Sequence, residues 1–261
     1  MAVSIAITSG KGGVGKTNTA VNLAISLGRL GKRVLLFDAD FGLANTHILL
    51  GINAKKTIAE FLNGSVPLES TLTEVATGVK MIAGGSGLLE LLNLDDQARY
   101  KVLTSLSNLE DEIDYLIVDC PAGASDSTLF FVNAADIALV VLVAEPTSFL
   151  DAYALVKAAH LEKGVTDFSV IVNMSENKKT AEMNYLKFRD ITLRFLDTRL
   201  HYLGMIPQSL AIRRSIVERK AICESQPQSA PAKNFEAIAH SIKNAKLSEH
   251  DAVKFFGESK I

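Results

Sequence analysis

Short apolar runs rich in β-branched residues recur along the chain, each closed by a polar residue or a glycine. They are Val3–Thr8, Arg33–Phe37, Val79–Ala83, Tyr115–Val118, Ile137–Val143, Phe168–Val172 and Tyr202–Ile206. Most are continuously apolar rather than alternating, as in strands covered on both faces. Between them, apolar residues fall at helical spacing over Thr17–Leu30, Ala98–Leu109, Ser127–Ala135, Ser148–Leu161, Thr180–Leu196 and Ala232–Ala245. Gly31 supplies a stop for the first of these. The alternation predicts an α/β fold: a mostly parallel central sheet of about seven or eight strands with helices on both faces, a three-layer sandwich. No repeat or linker divides the chain, so residues 1–261 read as one domain. The breaker-rich Gln226–Pro231 stretch introduces the last helix. Ligands of such sheets collect at the carboxyl ends of the strands. The residues just after each apolar run therefore carry the chemistry.

Charge and composition narrow the classes. Lys and Arg total 27 against 29 Asp and Glu, a net charge of −2, which gives no global field toward nucleic acid or an anionic membrane. The longest clean apolar run, Ile137–Ala144, falls far short of the about 20 residues of a membrane span. The opening MAVSIAITSG lacks a basic n-region, so no targeting segment is expected and a cytoplasmic location follows. The 2 cysteines, Cys120 and Cys223, form neither a disulfide framework nor a C-x-x-C pair.

The first strand runs into Ser9-Gly10-Lys11-Gly12-Gly13-Val14-Gly15-Lys16-Thr17. From Gly10 to Thr17 this fits G-x-x-x-x-G-K-[ST], with a strand before and a helix after. The glycines let successive N–H groups curl around phosphate oxygens, and the helix N-terminus adds its positive end. Lys16 is placed to reach the β- and γ-phosphates and Thr17 to hold Mg²⁺. Asp38 and Asp40 project to one side of a strand tip beside this loop. They can order metal-bound and attacking water, or make ordinary turn and cap bonds. Asp119 closes another apolar strand, the position of a carboxylate that holds Mg²⁺ through water. Cys120 reads as a small buried hydrophobe. Asn173 follows a strand with an amide able to pair with an adenine edge.

Lys11, a second lysine inside the loop, makes SGKGGVGKT resemble the deviant Walker A loop of the MinD/ParA family of dimerising ATPases. The resemblance extends from Ser4 to about Ile242. It implies ATP and Mg²⁺ as ligands and a nucleotide-dependent homodimer, with Lys11 crossing to the partner's nucleotide. Asn18 would join the loop in nucleotide binding. Asp38-Ala39-Asp40 followed by Gly42-Leu43 resembles switch I, with Asp40 positioning the hydrolytic water and Asp38 supporting the metal shell. Pro121–Ala124 resembles switch II. Asn173 would read adenine, Pro207 and Gln208 would meet the base through backbone groups, and Glu145 would reach the partner's ribose.

Softer stretches resemble the FlhG/FleN branch, regulators of flagellar number and placement. They are Gly84–Gly87, Glu145–Ser148 leading to Asp151–Tyr153, Phe195-Leu196 leading to Leu203–Pro207, and Gln226-Pro227 with Ser229. The chain opens directly at its first strand, as MinD does, where many of that branch carry an extension. This branch implies slow hydrolysis activated by a protein partner: a flagellar GTPase, a flagellar switch component or a transcription regulator. Division-site placement and DNA or cargo partitioning are the alternatives within the family, and an iron–sulfur carrier is a further one that the cysteine pattern disfavours. In MinD and FlhG the tail corresponding to 245–261 targets the membrane. Here Ile242, Ala245, Ala252, Val253, Phe255 and Phe256 gather on one side of a helical wheel, although the tail is formally neutral. Reversible ATP-dependent membrane contact is the expectation, with packing of the two Phe on the body as the other reading. The basic clusters Lys178–Arg199 and Arg213–Lys220 read as solvated helix faces rather than a nucleic-acid surface.

Overall fold

The computed structural model describes residues 1–41, 45–85, 95–244 and 253–256. Its strands are β1 (Val3–Thr8), β2 (Val34–Asp38), β3 (Leu72–Ala76), β4 (Val79–Ile82), β5 (Tyr115–Asp119), β6 (Ile137–Val143), β7 (Asp167–Ser175) and β8 (Arg199–Pro207). They lie in one 8-stranded sheet in the order β3-β4-β2-β5-β1-β6-β7-β8. Every pairing is parallel except β3 with β4. The helices are α1 (Lys16–Arg29), α2 (Thr46–Leu49), α3 (Ile58–Leu62), α4 (Asp96–Ser107), α5 (Asp126–Ala134), α6 (Pro146–Lys163), α7 (Lys178–Leu193), α8 (Leu210–Val217), α9 (Ile222–Ser225) and α10 (Ala230–Ile242).

Each strand sends alternate side chains to opposite faces, so a continuous apolar run feeds two cores at once. From β2, Leu35 and Phe37 join Val102 and Leu106 of α4 and Phe131 of α5. Val34 and Leu36 join Val21 and Leu27 of α1 and Phe235 of α10 on the other side. Strand β6 splits the same way, Val140 and Leu142 against Leu139 and Val141.

The seven runs read from the sequence all become strands. The eighth, β3, belongs to a hairpin: Thr77-Gly78 reverses the chain, Gly78 takes φ 77°, and Ala76 pairs with Val79. It lies at the sheet edge with none of its residues fully buried, so it lacks the continuous apolar signature of its neighbours. Among the described residues, no helix is long and apolar enough to cross a membrane.

Two expectations change. Phe255 and Phe256, the motive for a surface-seeking tail, are packed inside with 0% and 5% exposure. Phe255 stacks on Phe131, ring centroids 6.2 Å apart, and its N–H donates to the Ala134 carbonyl at 3.1 Å. Lys254 Nζ donates to the carbonyls of Asn133 (3.3 Å) and Ala135 (2.9 Å) at the end of α5, a cation on carbonyls left over by a helix terminus. Residues 253–256 are not helical, and the rest of the proposed 245–261 tail helix lies outside the described residues. The basic run Lys178–Arg199 is likewise not one helix face. Helix α7 ends at Leu193, and Arg199 begins β8, where its Nε donates to Asp167 Oδ1 at 2.7 Å. That guanidinium holds the Asp167 carboxyl well below the usual carboxylate range.

Candidate functional site

The loop from Ser9 to Gly15 joins β1 to α1, with Gly15 at the N-cap in a left-handed conformation, φ 86°. Gly10 is required for a different reason. A Cβ there would stand 2.0 Å from the Asp151 carbonyl carbon and 2.2 Å from the Ala152 nitrogen, so the second turn of α6 lies directly on the loop. Gly123 N–H donates to the Ser9 carbonyl at 2.8 Å, which ties the Pro121–Ala124 segment to the same loop. Ser125 then caps α5, its side chain accepting from Thr128 N.

Lys16, 7% exposed, donates to Asp119 Oδ1 at 2.8 Å. Burial works to lower the Lys16 pKa, but the Asp119 carboxylate more than offsets it, so the ammonium is held charged. Burial pushes the Asp119 carboxyl up, opposed by the Lys16 ammonium. Asp38 and Asp119 are register partners across β2 and β5. Burial and the Asp119 charge raise Asp38 to about 7. Its Oδ1 accepts from Asp40 N and its Oδ2 from Thr46 N, both at 3.2 Å, the backbone bonds of a strand end. Asp40 is half-buried, and its charge acts on both Lys16 and Asp119.

Asp119 Oδ2 is buried with no hydrogen-bond partner. Three carboxyl groups, of Asp38, Asp40 and Asp119, gather around one buried ammonium and leave one buried oxygen unsatisfied. A hard divalent cation such as Mg²⁺ suits this donor set.

Beyond the end of the loop, Gly15, Asn18, Asn173, Pro207 and Gln208, the residues expected to meet a base, line a cavity of about 90 Å³. Met174, Ile212, Arg213 and Ile216 line it too, and reading the sequence missed them. The signal was present in Ser209, which caps α8 by accepting from Ala211 N at 3.1 Å. A helix starting there puts positions 212, 213 and 216 on one side. The Gln208 N–H is already engaged by the Ser175 carbonyl at 2.9 Å.

Lys11 Nζ lies 3.4 Å from both Glu145 Oε2 and Thr147 Oγ1 of its own chain. Of the switch I stretch, Gly42, Leu43 and Ala44 lie outside the described residues, as do Ser86 and Gly87 of the Gly84–Gly87 stretch. Cys120 and Cys223 are both free and buried. Burial pushes the Cys223 thiol up to about 12 and Cys120 higher, which leaves both unreactive.

Comparison with known proteins identifies the family and the fold. The family model described as ParA, NUBPL iron-transfer P-loop NTPase, matches residues 1–243. The antiactivator FleN of Pseudomonas aeruginosa is 40% identical over 238 residues, 91% of this chain and 85% of its own length. The flagellum site-determining protein YlxH of Helicobacter pylori is 34% identical over 236 residues, 90% of this chain and 80% of its own. The cell division ATPase MinD of Pyrococcus furiosus has the same fold, with a TM-score of 0.76 at 25% identity over 94% of this chain and 99% of its own.

Proposed function

The chain belongs to the ParA family of P-loop NTPases and is an ATPase of MinD/ParA type; from this premise we propose a nucleotide-gated dimer that controls flagellar number or placement. The observation that carries the gating is the buried Lys16–Asp119 contact, 2.8 Å long, beside the unsatisfied Asp119 Oδ2. The flagellar assignment follows the similarity to FleN and YlxH.

In this reading the backbone of Gly10 and of Gly12 to Gly15 cradles the phosphates, and Lys16 leaves Asp119 to reach the β- and γ-phosphates. Thr17 and Asp119 would hold Mg²⁺, with Asp38 behind them, and the chemistry it would supply there is neutralisation of phosphate charge. Asp40 orients the attacking water. Phosphoryl transfer rests on positioning and charge rather than on a strong base, so turnover is slow until a protein partner completes the site. Asn18 and Asn173 meet the nucleoside, with backbone groups of Pro207 and Gln208. Lys11 leaves Glu145 for the nucleotide of a second copy, and Glu145 is freed toward that copy's ribose. Hydrolysis removes the γ-phosphate contacts, and the Pro121–Ala124 segment, bonded to Ser9, relaxes with the loop. The protein works in the cytoplasm, and any membrane contact is peripheral and dependent on release of the C-terminal segment.

Sedimentation velocity with Mg·ATP, Mg·ADP and no nucleotide tests the gate: a dimer with ATP alone is expected, and a mass indifferent to nucleotide would refute it. Counting flagella and inspecting division sites in a deletion strain separates flagellar control from a role at the septum.

A further inference from the structure

Asn173 does more than face the base. It lies near the end of β7, 4% exposed, and its Nδ2 donates to the Val14 carbonyl at 2.7 Å. Its Oδ1 accepts from Met174 N at 2.8 Å. The amide therefore ties the loop after β1 to the end of β7, two strands away across β6. The fit on both sides is close. A Cβ at Gly15 would stand 2.3 Å from Asn173 Nδ2, and Met174 adopts φ 53°, a left-handed conformation uncommon for a residue with a side chain.

In a trans peptide the C=O and the following N–H lie in one rigid plane and point in opposite directions. Gripping the Val14 carbonyl therefore fixes the direction of the Gly15 N–H. It also keeps a carbonyl oxygen, which would repel phosphate, turned out of the cradle. We propose that Asn173 is a positioning residue for the phosphate loop: it sets the Val14–Gly15 peptide so that the Gly15 N–H faces the phosphates, whether or not a base is bound. A side-chain amide has a second N–H and a second lone pair, so base contact and strut can operate together. The cavity that Asn173 and Gly15 both line then links the base end of the site to the phosphate end.

This inference rests on the nucleotide reading, and a ligand without a base separates the two. Binding of Mg·ATP and of Mg·tripolyphosphate is measured by calorimetry for the wild type, Asn173→Asp and Asn173→Ala. Aspartate keeps the acceptor for Met174 N–H but cannot donate to Val14. Both variants lose that donor, and aspartate adds a negative charge beside the phosphates, so Asn173→Ala is the measure of the strut: it is expected to weaken tripolyphosphate by about tenfold, and Asn173→Asp by more. If both variants lose ATP affinity but hold tripolyphosphate within about twofold of the wild type, Asn173 serves the base alone and the strut is wrong. The Gly15 amide resonance gives a second measure without ligand. It is expected to shift in both variants while resonances far from the loop keep their wild-type positions; an unmoved Gly15 resonance would overturn the proposal even if binding changed. A wild type that binds neither ligand would overturn the nucleotide reading together with this inference.

Discussion

Lys11 Nζ stands 3.4 Å from Glu145 Oε2 within a single chain, so the lysine assigned to a second copy's nucleotide has a resting partner at home. The pair is solvent-exposed and contributes little to stability. Glu145→Gln should move the melting temperature by no more than about 2 °C. Lys11→Ala should hold ATP affinity within about threefold and abolish the ATP-dependent dimer, the ammonium across the interface being the element removed. Calorimetry and sedimentation on the same preparation check both statements.

Lys16 and Asp119 are buried together, and removing one leaves the other uncompensated. Lys16→Ala should therefore lose ATP binding and also destabilise the nucleotide-free protein by about 3 kcal/mol. The double variant Lys16→Met with Asp119→Leu should melt above Lys16→Ala while still failing to bind ATP. Thermal melts with and without Mg·ATP distinguish the two effects.

Asp38 carries a pKa raised to about 7, against an ordinary value near 4 once unfolded. The folded state therefore holds the proton more tightly. Its stabilising contribution is full below about pH 4 and is lost as pH rises through about 7. Without nucleotide, the melting temperature should fall across pH 5 to 8 by roughly 5 °C, and Asp38→Asn should flatten that slope. A slope unchanged in Asp38→Asn would assign the dependence to other groups.

Phe255 is fully buried against Phe131. Phe255→Ala should cost about 3 kcal/mol, a drop of about 6 °C or more in melting temperature. An undocked tail would leave the melt unchanged. Co-sedimentation with anionic liposomes, with and without ATP, then shows whether the segment ever leaves its seat.

Strands buried on both faces announce themselves, because continuous apolar character survives any choice of neighbours. The runs at Val3–Thr8 and Ile137–Val143 match β1 and β6 residue for residue. Edge strand β3 and helices α2, α3 and α9 are four or five residues long, too short for a period to repeat. The phosphate loop and Asp119 were legible because their chemistry fixes both residue type and spacing. The bond between Asn173 and Val14 was not, since it joins residues 159 positions apart. Nor did the wheel of the tail reveal where its two Phe would go: apolar spacing on a terminal segment suits a membrane and a groove on the body equally well.

The bare Cα of Gly10 lets the second turn of α6 rest on the Ser9–Gly15 loop with no side chain between them. The two backbones thus form a stiff joint. Leu150, in the same turn, is 69% exposed. A methyl group at position 10 would have to prise that helix away before the loop could close, so Gly10→Ala would disturb helix and loop together.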